Sequence, residues 1–165
     1  LSPQQLAVSS LYNTFAVWRE ILQGITAFTS LLERPTGKFP FRSNDVYFED
    51  EPNNKAYKTI SYPHILIDSD MNDSHITFTG LKEMDYTTRL IIRTEYFAER
   101  DSARLMSYMN AIVTYLNANQ TTLLNSYGID GLRITLSRDR DVIAEKELVV
   151  GIITLDYKLK LDVEA

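Results

Sequence analysis

Two periodicities predict an α+β domain, a mixed, mainly antiparallel β-sheet with helices packed on one face. A period of two runs from Tyr86 to Ala98 and again from Ile153 to Val163, which is the pattern of strands with one buried face. Between these strands Leu105, Met106, Met109, Ile112, Val113 and Leu116 recur at helical spacing and form an apolar stripe. A strand that feeds such a helix gives a sheet with a helix lying on it. The chain's 165 residues, 44% hydrophobic and 24% charged, suit one domain over 1–165 with a real core.

In chain order, Leu6, Leu11, Phe15, Trp18 and Leu22 predict an N-terminal helix over 3–22, with Pro3 in the first turn, where proline is tolerated. Gly24 ends or bends it, and Ile25, Phe28, Leu31 and Leu32 continue a second short helix. Tyr12, Phe15 and Trp18 read as core packing and not as a binding stripe. From Arg34 to Tyr62, Pro35, Gly37, Pro40, Pro52, Asn53 and Asn54 break every period, so 35–62 reads as an extended loop or arm. Within it only Val46-Tyr47-Phe48 is strand-like. Its aromatics Phe39, Phe41, Tyr47, Phe48 and Tyr57 need a dry partner, either a neighbouring protein or the chain's own core.

Pro63–Ile67 reads as a short strand, Asp68–Ser74 as a polar turn, and Ile76–Thr79 as a second strand ending at Gly80. Leu81–Asp85 is a link into the long strand. That strand puts Tyr86, Thr88, Leu90, Ile92, Thr94 and Tyr96 on one face and Thr87, Arg89, Ile91, Arg93, Glu95 and Phe97 on the other. Asp101 or Ser102 is placed to cap the following helix. Asn117–Tyr127 is its polar continuation or frayed end, and Gly128 and Gly131 mark a turn. Leu132, Ile134 and Leu136 alternate with Arg133, Thr135 and Ser137 as a strand, while Ser137–Asp141 reads as a solvated hairpin or loop. The last strand buries Ile153, Leu155, Tyr157, Leu159, Leu161 and Val163 and wets Thr154, Asp156, Lys158, Lys160 and Asp162. It is expected to pair antiparallel with the long strand or with the strand from Leu132.

Composition narrows the function. A net charge of -5 and a pI near 5.0 oppose nonspecific binding to a DNA backbone, which needs clustered bases. With no cysteine, disulfides, thiolate metal sites and thiol nucleophiles are excluded. Residues 1–30 lack a signal-peptide pattern, and no run approaches the roughly 20 apolar residues that span a bilayer, so a cytosolic site of synthesis is expected. Leu1 in place of Met suggests a trimmed start. Asn72-Asp73-Ser74 and Asn119-Gln120-Thr121 match a glycosylation acceptor with no secretion signal behind them.

The motifs of chemistry are missing: no phosphate loop, no nucleophile elbow, no His-Glu-x-x-His. His64, His75, Asp68, Asp70 and Asp73 are the residues that suggest a metal. They lack the calcium-loop glycine and closing glutamate, and read as a solvated turn. The carboxylate pairs Asp139/Asp141 and Glu145/Glu147 lie on surface-like stretches, so no enzyme and no cofactor is expected.

The order of parts resembles the tail terminator (tail completion) proteins of long-tailed bacteriophages. The resemblance rests on an N-terminal helix, Val46-Tyr47-Phe48-Glu49, the strand Tyr62-Pro63-His64-Ile65-Leu66-Ile67, and the strand Tyr86–Ala98. It continues in the Glu99-Arg100-Asp101 turn before the helix Ala103–Leu116 and in the alternating strand after Gly151. It covers roughly 46–163 as a pattern without a diagnostic motif, and the stretch before Pro63 is longer than the family's. It implies a structural virion protein, assembled in the host cytoplasm, whose homo-oligomeric ring, a hexamer, caps the tail tube and ends its polymerisation. The partners implied are the tail tube protein and a head-completion or neck protein, with DNA passing an acidic lumen unbound.

For that outward face the candidates are Arg89, Arg93, Glu95, Asp156, Lys158 and Lys160, which on a monomer would simply meet water. From the arm, Phe39, Phe41, Tyr47 and Phe48 are added. Two other readings are a non-ring adaptor or neck protein that binds a partner through 35–62, and a small acidic hydrolase.

Overall fold

The structure, a computed structural model, describes residues 11–32, 46–48, 63–76, 81–143 and 145–162. Among the described residues, four helices and five strands follow one another as α1 (Leu11–Gln23), α2 (Thr26–Leu32), β1 (Val46–Phe48), β2 (His64–Ile76), β3 (Leu81–Glu95), α3 (Glu99–Ala118), α4 (Gln120–Tyr127), β4 (Ile129–Ile143) and β5 (Lys146–Asp162). The strands form one sheet in the order β1-β2-β3-β5-β4. Among the described strands only the short β1 is parallel to its neighbour; the other pairings are antiparallel. The fold is therefore α+β with a mixed, mainly antiparallel sheet, as the two periods predict.

The sheet is built around β3 and β5, which pair over their whole common length, from Leu81 opposite Asp162 to Glu95 opposite Leu148. β5 also pairs with β4, so the last strand meets both of the partners that its alternation left open. Because β3 and β4 each run antiparallel to β5, they run parallel to one another, and α3 and α4 make the crossover between them.

All four helices bury residues into one core on one face of the sheet: Trp18 and Leu22 from α1, Phe28 from α2, Leu105, Met109 and Ile112 from α3, Leu123 from α4. Below them lie Ile65 and Ile67, Tyr86, Leu90 and Ile92, Ile153, Leu155 and Tyr157. Gly151 lets α3 sit close, since a Cβ there would stand 2.4 Å from Met109 Sδ and 3.1 Å from Leu105 Cδ1. On the other face a smaller cluster buries Leu66, Ile91, Leu148 and Val150, with Ile152 partly buried.

Several expectations need correction. Asp68–Ser74 is not a turn between two strands, and Leu81–Asp85 is not a link. β2 runs unbroken from His64 to Ile76 with a register shift at Met71/Asp73, and β3 starts at Leu81. Three of the polar residues find partners across the ladder that hold them in it: Asp68 on Arg89, Ser69 on Thr88 at 2.9 Å, Asn72 on Thr87 at 2.8 Å.

β3 ends at Glu95, short of the expected Ala98, and Ile91 is buried on the face that carries its charges. The segment after α3 is not frayed but is the separate helix α4, closed by Gly128 at φ 74°, and Leu123 anchors it in the core. Ser137–Asp141 is neither hairpin nor loop but part of β4. Met106 leaves the apolar stripe and is 45% exposed.

The cap of α3 is Ala98 and not Asp101 or Ser102. Asp101 sits three residues in, and its Oδ2 accepts from the backbone N–H of Phe97 at 2.8 Å and of Ala98 at 3.0 Å. One carboxylate thus satisfies the two amides before the helix and places a negative charge at its positive end. The helix expected over 3–22 is described from Leu11 onward. Its first residues, the remainder of the arm 35–62 outside β1, and Val163 lie outside the described residues.

Candidate functional site

The face of the sheet away from the helices is the surface where the sequence candidates meet. Alternation puts Arg89, Arg93 and Glu95 of β3 and Asp156, Lys158 and Lys160 of β5 there together. Arg89 is paired with Asp68. Thr87 donates to Asp156 Oδ1 at 2.7 Å and accepts from Asn72 Nδ2, so a hydrogen-bonded row crosses β2, β3 and β5. On β4, Arg133 stands opposite Asp156. Lys160 holds Asp130 at 2.8 Å, and this hydrogen bond lowers the Asp130 carboxyl below its ordinary value while raising Lys160. Asp85 stands opposite Lys158, and Glu83 opposite Lys160. Acid meets base in several rows, and acid meets acid where Asp73 stands opposite Asp85.

At one end of this face the rows turn apolar, where Leu66, Ile91, Val150 and Leu148 are buried and Arg93 is half-buried. Glu95 takes an ion pair from Lys146 at 3.4 Å. Beyond it, on the helix side, the Arg140 guanidinium lies 4.4 Å from the centre of the Tyr96 ring, and Tyr96 donates to Glu99 at 2.8 Å. Tyr96, Arg140, Asp141, Val142, Glu147 and Leu148 line a shallow cleft there. Phe97, 70% exposed, and Val142, 65% exposed, are the most exposed large apolar side chains among the described residues.

The helix side holds a buried polar chain. Trp18 Nε1–H donates to the Tyr157 hydroxyl at 2.8 Å, which shares a 2.7 Å hydrogen bond with Thr88, and Thr88 shares one of 2.9 Å with Ser69. Trp18 also meets the Tyr157 ring edge-on at 5.5 Å, and Tyr86 stacks on it at 5.9 Å. Burial pushes the Tyr157 hydroxyl far above its ordinary range, against the hydrogen bonds from Thr88 and Trp18. The chain ties α1 to three strands and offers no nucleophile at a surface.

The residues that suggested a metal, His64, Asp68, Asp70, Asp73 and His75, are strung along β2. At about 3.3 Å per residue, its ends lie roughly 35 Å apart or more, so one strand cannot gather them. No group of three or more metal-ligating side chains occurs among the described residues. Tyr47 and Phe48 lie in β1, against Leu66 and Ile67 of β2 in register. Phe39 and Phe41 lie outside the described residues.

Asp139 and Asp141 carry a role that the sequence reading missed. Asp139 Oδ1 accepts from the backbone N–H of Arg140, and Asp141 Oδ1 from that of Val142, each at 2.8 Å. The strict Arg-Asp-Arg-Asp alternation was the signal of a strand there.

The fold and its surface define the class: an α+β sheet protein whose described helices lie on one face and whose other face joins rows of charged residues to a small buried apolar cluster. No protein-family model matches the chain, and no curated protein matches it.

Proposed function

We propose that the protein is a structural component of a phage tail, a ring-forming terminator that caps the tail tube and offers a surface to the neck. The observation that carries this reading is the one-sided architecture: strands of 13, 15, 15 and 17 residues with every described helix on one face. Strands of about five or six residues suffice for most globular domains, and a broad sheet with its described helices on one face and rows of charge on the other suits packing between neighbours in a ring. The order of elements, with β3 feeding α3 and a long last strand beside β3, agrees with the family pattern. The proposal assigns no catalytic residue and no cofactor.

Light scattering on a sizing column tests it, since a ring has about six times the monomer mass or forms on addition of tail tubes. Tails of uncontrolled length in a phage that lacks the protein complete the test. A monomer that ignores tail tubes, with normal tails in the mutant, overturns the ring and leaves the adaptor reading.

A further inference from the structure

We infer that the free edge of β4 is closed to strand addition, and that Asp139 and Asp141 close it. Among the described residues β4 is the last strand of the sheet on its side, and Thr135–Val142 is exposed at every position. An edge of this length is a template for another strand, whether from a second copy or from a misfolded chain.

The direction of the edge groups follows from the ladder. Tyr96 N–H donates to Glu147 C=O, so the odd residues of β5 bond to β3 and the even ones to β4. Their partners on β4, Ser137, Asp139 and Asp141, are odd. The amides of Leu136, Arg138, Arg140 and Val142 therefore point away from the sheet. Two of these four outward donors are already satisfied, those of Arg140 and Val142, by the carboxylates of the residues before them. An incoming strand would have to displace both.

Charge adds a second bar against a copy of the same strand. Antiparallel pairing sets residues of the same face opposite one another. On β4, Arg138 and Arg140 share the helix face and Asp139 and Asp141 the open face, so each register that pairs two such stretches brings Arg to Arg and Asp to Asp. The four have no cross-strand ion partner on β5, where they stand opposite Gly151, Val150, Val149 and Leu148. Arg133 on the same strand stands opposite Asp156. Arg138, Asp139 and Asp141 are thus exposed on the edge strand, where an approaching strand would meet them, while the Arg140 guanidinium reaches back over the Tyr96 ring. The inference is independent of ring formation, because a ring joined by other surfaces leaves this edge as it is.

The test compares the whole chain with two double variants. Asp139→Thr with Asp141→Thr keeps strand propensity but removes both carboxylate acceptors and the negative charges. Asp139→Asn with Asp141→Asn removes the charges but keeps an oxygen able to accept from each amide. Light scattering should show the Thr variant forming species at least twice the mass of the largest wild-type species as concentration rises. Amide exchange at Arg138, Arg140 and Val142 should slow as they form. The Asn variant should keep the wild-type mass and the wild-type exchange at Arg140 and Val142. A Thr variant that stays at the wild-type mass overturns the inference. Growth without slowed exchange on β4, or equal growth of the Asn variant, overturns the assignment to the two carboxylates.

Discussion

At the scale of single residues, the fold leans on a few polar atoms that sit where water does not reach. Asp101 is 3% exposed and accepts two backbone N–H groups before α3. Asp101→Ala strands both amides and removes the charge at the helix start, so it should cost about 2 kcal/mol. For a chain of this size that lowers the melting temperature by roughly 4–8 °C. Asp101→Asn keeps an acceptor and should cost less than half as much, which thermal unfolding of the two variants checks. Tyr157 gives a prediction in pH. Its folded pKa is raised by burial above the ordinary tyrosine value near 10, so above that pH the unfolded chain gives up its proton first. Its contribution is therefore complete below about pH 10 and is lost as pH rises beyond, by about 1.4 kcal/mol per pH unit. Tyr86 and Tyr127 are raised by burial in the same direction. Tyr157→Phe should be less stable at neutral pH by about 1–3 kcal/mol, because Trp18 Nε1 loses its acceptor. Its urea midpoint should fall less steeply than the wild type's between pH 10 and 12. Equal slopes would mean that the hydroxyl ionises before unfolding.

At the scale of elements, periodicity was legible wherever an element had one wet and one buried face. β5 from Ile153 to Leu159 and the helix face of β3 from Tyr86 to Thr94 were readable residue by residue because Leu90, Ile92, Ile153 and Leu155 all turn into the core. β2 was not, because Asp68–Ser74 carries the composition of a turn and is held in the sheet by partners far away in sequence, Arg89, Thr88 and Thr87. The same limit hid Asp139 and Asp141, whose role depends on where β4 sits in the sheet. Gly151 makes the contact between elements testable. A methyl group there meets Met109, a flexible side chain that can swing aside only within a packed core. Gly151→Ala should cost about 1–3 kcal/mol, and Gly151→Val should leave little folded protein. Met109→Ala alone should cost roughly 2–5 kcal/mol by leaving a cavity. Combined with Gly151→Ala, the loss should be smaller than the sum by at least about 0.5 kcal/mol. Strict additivity in urea unfolding would show that α3 does not press on β5 at this point.

At the scale of the whole molecule, the sheet separates a helix side that carries most of the core from an opposite side that carries the rows of charge. Adjacent residues of β5 separate these two jobs. Tyr157 is 4% exposed, against Trp18 and Thr88, whereas Lys158 is exposed opposite Asp85. Tyr157→Asp forces a carboxylate into the core without a cation and should unfold the domain, at a cost of several kcal/mol out of the roughly 5–15 that hold a domain folded. Lys158→Glu sets acid opposite acid on the wet face and should cost about 1 kcal/mol or less. If the ring is the working form and the open face takes part in it, Lys158→Glu should keep its circular dichroism and melting transition yet assemble at least ten times more weakly by light scattering. The interface loses a base there and gains an acid on a face already crowded with Asp and Glu, and like charges brought together across a contact are costly. Tail lengths in phage that carry the variant should then broaden. A Lys158→Glu protein that folds and assembles as the wild type does would remove this face from the contact and turn attention to the exposed end at Phe97 and Val142.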